Sequence, residues 1–187
     1  VERPPLWQPP AEYLLKLQQL QALHQQLQKH HKALMGQVQA FSALGPMDKE
    51  VAKFLKSSPN HLDKQMKGVT ASIDRIISQY YKELLQNITT IPGLGKKTAA
   101  ALIIITNGFK KFSNHKQVAA YMGLSPRIYQ SGTSLKGRGH ICKMGMSRIR
   151  SMLYVCSWSA ITCNQACKQL YQRLLAKGKA KKAALIA

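Results

Sequence analysis

The residue types best suited to chemistry crowd one stretch of the chain, from Gly123 to Gly145. Gly123, Gly132, Gly137, Gly139 and Gly145 alternate there with Arg127, Lys136, Arg138, His140 and Lys143, and Ser125, Ser131 and Ser134 lie among them. Glycines let a backbone come close to a ligand, and a set of cations favours a phosphate. A hydroxyl at Ser131 or Ser134 is a candidate nucleophile toward a phosphodiester, given a base to take its proton and a cation to stabilise developing charge. Arg127, Lys136, Arg138 and Lys143 are the candidate cations and His140 the candidate base. On residue chemistry alone, a phosphate-binding loop without catalysis is the simpler reading.

A second signal precedes it. Ile91-Pro92-Gly93-Leu94-Gly95-Lys96-Lys97 leads into the small-residue run Thr98-Ala99-Ala100-Ala101-Leu102-Ile103. Apolar anchors, a Gly-apolar-Gly turn and a following helix match the helix-hairpin-helix pattern. Its glycines permit positive φ, and the next helix offers free N–H groups and a partial positive charge to a phosphate. Gly93, Gly95, Lys96 and Lys97 are therefore expected to hold nucleic-acid backbone without reading its sequence. The plainer alternative is a glycine turn that only packs two helices.

Charge points the same way. The chain has 28 Lys+Arg against 7 Asp+Glu, a formal net charge of +21. Every carboxylate side chain (Glu2, Glu12, Asp48, Glu50, Asp63, Asp74 and Glu83) lies before Leu84, and none follows it. Cations at that density repel one another unless a polyanion neutralises them, and phosphate contacts release condensed counterions. Nucleic acid, double-stranded DNA or RNA, is thus the expected partner. A membrane span is not expected, because no apolar run approaches the about 18 residues it needs; the longest lies around Ala99–Thr106, and the core patterning of the basic half speaks against a membrane-surface helix. The start, Val1-Glu2-Arg3-Pro4-Pro5, has neither the basic nor the apolar region of a signal peptide and reads as a fragment boundary in a cytoplasmic protein.

The elements that must position these residues are helical. One seam runs Tyr13, Leu17, Leu20, His24, Leu27, His31, Leu34, Val38, Phe41, and a second runs Leu62, Met66, Val69, Ile73, Ile76, Tyr80. Both keep heptad a/d spacing, which predicts a coiled coil. Gly45-Pro46 stops the first helix, Asp48–Lys56 is a short helical piece, and Ser57-Ser58-Pro59-Asn60 is a break before the second. Residues 1–86 are expected to form an antiparallel helical hairpin, or arms that pair between subunits, as the assembly region of a homo-oligomer, and residues 87–187 a compact helical domain. Helices are predicted at Lys97–Thr106, Lys116–Met122 and Ser147–Ala176, with Gly123–Gly145 irregular between them. The fold class is mainly α. Cys142, Cys156, Cys163 and Cys167 include no CxxC pair; they read as reduced thiols and not as a metal site.

From about Ile88 onward the chain resembles the C-terminal domain of the Piv-type DEDD transposases and invertases, the insertion-sequence recombinases guided by a bridge RNA. The resemblance rests on Ile91-Pro92-Gly93-Leu94-Gly95, Phe112 to Met122 with Gly123-Leu124-Ser125-Pro126-Arg127, and Ser131-Gly132. It continues through Lys136-Gly137-Arg138-Gly139-His140-Ile141 to Tyr171-Gln172-Arg173-Leu174-Leu175-Ala176-Lys177-Gly178-Lys179. It implies a DNA recombinase whose serine forms a 5′-phosphoserine link to DNA, a role that falls by motif position on Ser131, with Ser134 in reserve. It also implies a guide RNA partner and Mg²⁺ held by the carboxylates of a separate RuvC-like domain. No cofactor is expected in this chain, which alone is expected to be inactive. Cys142 and Met144 stand where the family pattern has Ser and Arg. The reading from a different class is a non-catalytic helix-hairpin-helix clamp on DNA or RNA backbone.

Overall fold

Helix formation in the first part of the chain follows from two apolar stripes with clear stop signals. The computed structural model describes residues 9–127, 130–131, 135–136, 140–141 and 144–187, with backbone alone at 127, 130, 131, 135, 136 and 140. It is mainly helical, as the patterning predicts. The chain divides into two units, one ending at Tyr80 and the other beginning at Tyr81.

The first unit is a pair of long helices, α1 (Glu12–Leu44) and α2 (Lys49–Tyr80). Glu12 lies in the first turn of α1, where a carboxylate meets the positive end of the helix dipole. α1 ends at Gly45, whose φ of 134° suits glycine, and Pro46 cannot continue the helix. Asp48 then caps α2, its carboxylate accepting from the amides of Glu50 (2.8 Å) and Val51 (3.2 Å). So short a link turns the helices antiparallel. Tyr13 stacks on Tyr80 with ring centroids 4.1 Å apart, and further along His31 meets Asp63 at 3.5 Å.

The predicted seam of α1 faces inward, with Leu17 and Leu27 buried, although Phe41 near its end is exposed. In α2 the fully buried residue is Ile77, one position beyond the expected Ile76, and Tyr80 stays half exposed despite its stack. A straight α-helix drifts by about 20° per heptad against a strict seven-residue repeat, which moves the contact line forward along the chain. A second correction concerns Ser57-Ser58-Pro59-Asn60, which is not a break: α2 runs through it with Pro59 buried inside the helix. The Ser57 and Ser58 hydroxyls both donate to the Phe54 carbonyl at 3.0 Å in the turn before the proline, which has no N–H to give the Leu55 carbonyl.

The second unit is built around α4 (Lys96–Thr106). Thr98, Ala99, Ala101, Leu102, Ile103, Ile104 and Thr106 are all buried, so the helix is apolar nearly all round and must be enclosed. α3 (Lys82–Thr89) and α6 (Ser147–Cys163) pack on α4, while α7 (Gln165–Ala176) and α8 (Lys181–Ile186) pack on α6 and on each other. One core cluster joins Ala101 and Leu102 to Met122, after α5 (His115–Tyr121), and to Ile149 of α6.

The exit from α4 is a tight left-handed corner: Asn107, Gly108 and Phe109 have φ of 53°, 63° and 62°. Glycine is required in the middle, since a Cβ there would stand 2.6 Å from the Tyr81 ring. Tyr81 donates its hydroxyl proton to Asn107 Oδ1 at 2.9 Å. Phe109 accepts the strained conformation because its N–H bonds Thr106 Oγ1 (3.2 Å) and its ring packs against the core cluster.

The single helix expected over Ser147–Ala176 is instead two, a further correction. Asn164 adopts an extended conformation and its side chain accepts from the amides of Ala166 (3.1 Å) and Cys167 (3.3 Å), capping α7. Asparagine competes for backbone in this way better than a helix interior rewards it. The basic stretch after α7 turns at Gly178 (φ 77°) and enters α8, which buries Ala184 and Leu185.

If the hairpin seam carries the stability of the first unit, Leu17→Ala removes a fully buried side chain and costs about 2–5 kcal/mol. Leu44→Ala, at an 86% exposed position, costs less than about 0.5 kcal/mol. Urea unfolding followed by far-UV circular dichroism distinguishes the two; equal losses would refute the assigned interior.

Candidate functional site

The glycine-rich stretch expected to be irregular contains two short antiparallel strand pairs. β1 (Pro126–Arg127) pairs with β4 (His140–Ile141), and β2 (Gln130–Ser131) pairs with β3 (Leu135–Lys136). Pro126 faces Ile141, Arg127 faces His140, Gln130 faces Lys136 and Ser131 faces Leu135. The inner pair is nested within the outer one in sequence, as in a hairpin. Ser131 ends β2, on the inner ladder, while two of the predicted phosphate-binding residues, Arg127 and His140, are direct partners on the outer ladder. Lys136 lies on β3. Ser134, Arg138 and Lys143 lie outside the described residues, as does Cys142.

The foot of this hairpin is closed by contacts that sequence reasoning missed. Arg150, one turn into α6, donates from Nη1 to the Met122 carbonyl (3.1 Å) and to the Met144 carbonyl (3.4 Å), one on each side of the strands. Gly145 has φ 96°, and a Cβ there would stand 3.1 Å from the Tyr121 carbonyl oxygen. On the leading side, Gly123 and Leu124 send their N–H groups back to Ala120 and Ala119, both at 2.9 Å. Nothing in the spacing of Arg150 distinguishes it from other helical arginines, since both these acceptors are backbone carbonyls.

The second predicted element is the turn between α3 and α4. Its glycines have different uses. Gly93 (φ 101°) lies against α6, where a Cβ would stand 2.8 Å from the Ala160 Cβ. Its missing side chain therefore serves close packing. Gly95 caps α4 and is open, with nothing within 4 Å of a Cβ placed on it. Gly95 supplies no capping side chain, and its carbonyl takes the amides of Thr98 and Ala99 (3.0 Å each). Lys96 and Lys97 are exposed on that same first turn, where they oppose the helix dipole unless an anion sits there. Thr98 faces inward, its hydroxyl 3.3 Å from Cys156 Sγ.

Further cations are exposed on this unit: Lys110, Lys111 and Lys116 around α5, and Lys168, Arg173, Lys177, Lys179, Lys181 and Lys182 on α7, α8 and their link. Composition announces them as a class; only folding shows that they point outward. The sole carboxylate side chain between Tyr81 and Ala187 is Glu83, so neutralisation from within the unit is minimal.

Metal chemistry has no fit here. The described residues hold no group of three or more His, Cys, Asp or Glu side chains arranged for a metal ion, and no carboxylate side chain follows Glu83. Among the described residues no helix is long and apolar enough to cross a membrane.

A basic helical unit carrying a serine-bearing strand hairpin has the features of a nucleic-acid-processing domain. Residues 85–172, within the second unit, match the family described as Transposase IS116/IS110/IS902. The chain is 30% identical over 195 residues to the "Pilin gene-inverting protein" of Moraxella lacunata, covering all of this chain and 57% of that protein. A protein of the same name from Moraxella bovis is 30% identical over 199 residues, with the same coverage. The "Insertion element IS110 uncharacterized 43.6 kDa protein" of Streptomyces coelicolor is 27% identical over 136 residues, covering 73% of this chain and 33% of its own length. The chain thus spans little more than half the length of the Moraxella relatives.

The two turn glycines separate packing from binding. Gly93→Ala meets both a left-handed φ and Ala160 and is expected to cost about 2–3 kcal/mol. Gly95→Ala is expected to cost less than about 1 kcal/mol. Thermal unfolding of the two variants is the check, and a Gly93→Ala protein as stable as wild type would show that the turn does not press on α6.

Proposed function

We propose that this chain is part of a transposase or site-specific DNA recombinase, that its second unit grips nucleic-acid backbone, and that Ser131 is the nucleophile of strand exchange. The observation that carries the reading is the transposase-family match over residues 85–172, which contains the Ser131 segment. The exposed, carboxylate-poor surface of the same unit supports DNA as the substrate. Guide RNA as a second polyanion rests on the resemblance described above.

In the proposed step the Ser131 hydroxyl attacks the phosphorus of one DNA strand. A Ser–O–P bond forms at the 5′ side and the P–O3′ bond breaks; the 3′ oxygen leaves and is protonated to a hydroxyl. The serine proton passes to a base, for which His140 is the histidine of the segment. Cations from Arg127, Lys136, Arg138 and Lys143 stabilise the charge that builds on the phosphate oxygens. Attack by a 3′ hydroxyl of another strand reverses the ester and releases the serine. The metal-binding carboxylates belong to a separate RuvC-like domain, and the helical hairpin of the first unit brings chains together.

The test joins the chain to its metal-binding domain and guide RNA, adds labelled target duplex and Mg²⁺, and resolves covalent adducts on denaturing gels. The adduct is expected with wild type and with Ser134→Ala and to vanish with Ser131→Ala. Salt-sensitive binding with no adduct from any variant would leave a non-catalytic backbone clamp instead. Binding itself has a separate signature. Replacing Lys177, Lys179 and Lys182 together by Gln should lower the slope of log K against log salt by about 0.9 for each phosphate that is no longer neutralised. An unchanged slope would remove that surface from the interface.

A further inference from the structure

We infer that Arg150 is a positioning residue for the serine hairpin, acting through the two backbone carbonyls at its foot and touching neither DNA nor the reacting atoms. The inference rests on the reading of Ser131 as the nucleophile. Each strand of the hairpin is two residues long, and a two-stranded ribbon is marginal in water without an anchor. A nucleophile carried on such a ribbon needs its direction set from elsewhere, because small misplacements of a reacting atom are costly in rate.

Arg150 supplies that anchor from a rigid element. It stands one turn inside α6, next to Ile149, which is 1% exposed and part of the core cluster. Nη1 reaches Met122 O at 3.1 Å and Met144 O at 3.4 Å, so one guanidinium ties together positions that the whole hairpin separates in sequence. The close approach of Gly145 to Tyr121 O holds the two ends at the spacing this bridge requires. The bridge is fixed from behind on the Met122 side and at Arg150 itself: Met122 is buried at 3% exposure, and the Arg150 N–H bonds Met146 O at 3.2 Å in the first turn of α6, while Met144 is 69% exposed. Guanidinium is suited to the task, being planar, always charged and able to donate in several directions from one rigid group, whereas a lysine ammonium is a single flexible point. Arg150 also lines an open groove of about 520 Å³ with Leu124, Ile141, Tyr154 and Leu185, so a small cation can reach its place from solvent.

The experiment uses the joined protein with guide RNA, and reads duplex affinity and single-turnover adduct rate separately for Arg150→Ala, Arg150→Lys and Gly145→Ala. Amide hydrogen exchange of the paired strand residues is followed in the same variants. Arg150→Ala is expected to slow adduct formation by about ten- to a hundredfold. Its duplex affinity should stay within about threefold of wild type, since the salt-dependent phosphate contacts remain. Exchange should rise at Arg127, Ser131, Lys136 and Ile141 but not at Ile103 in the α4 core. Arg150→Lys should recover part of the rate, Gly145→Ala should share the defect, and added guanidinium should rescue Arg150→Ala more than Gly145→Ala. A normal adduct rate in Arg150→Ala, or a rate and affinity that fall together with exposure of Ile103, would overturn the positioning role while leaving Ser131 as nucleophile. Absence of any adduct from wild type would instead remove the serine reading and this inference with it.

Discussion

Enclosure of α4 is the constraint on which the second unit depends. A helix with apolar side chains on nearly every face cannot lie at a surface, so α3 and α6 are drawn onto it, and the core reaches Met122 beyond α5. Two features that look local follow from it. Gly93 is bare because the turn into α4 runs against Ala160 of α6. The left-handed corner at Asn107–Phe109 lets the chain leave the end of α4 while Tyr81 closes over it. The sequence between Lys96 and Thr106 is thus the post around which α3 and α6 are fixed.

Electrostatics works against that enclosure. Seventeen Lys and Arg side chains share the stretch between Leu84 and Ala187 with no carboxylate among them, and their repulsion is relieved by solvent, counterions or a bound polyanion. Apolar burial and backbone capping hold the unit together in the meantime: the Asn114 side chain accepts from the Gln117 amide at 3.0 Å, Asn164 caps α7, and Arg150 bonds carbonyls where an acid is absent. Amide and carbonyl groups take the stabilising part that carboxylates play in a charge-balanced protein.

Much of the architecture was legible beforehand. The stop at Gly45-Pro46, the seam from Tyr13 to Val38 and the helices at Lys96–Thr106 and His115–Tyr121 follow from periodicity and punctuation, which are local properties. Two readings were corrected: Pro59, expected to break a helix, lies buried within α2, and Asn164, passed over inside a helix, caps α7 with its own side chain by accepting from the Ala166 and Cys167 amides. Strand pairing within Gly123–Gly145 was not visible because two-residue strands carry no period to detect.

The sequence by itself determined the charge of the second unit and the residue types there that are open to chemistry. A long stretch without carboxylates, two glycine-rich segments and serines among cations are facts of sequence, and formal charge belongs to residue types whatever the fold. Tertiary structure alone decided which glycine packs and which lies open, which strand carries Ser131, and which arginine meets the carbonyls of Met122 and Met144 on either side of the hairpin. Those assignments depend on backbone atoms brought together from distant parts of the chain: Gly93 against Ala160, Tyr121 against Gly145, Met122 and Met144 on Arg150. Backbone carbonyls and empty Cβ positions are the same whatever side chains surround them, so no reading of side chains could have distinguished them.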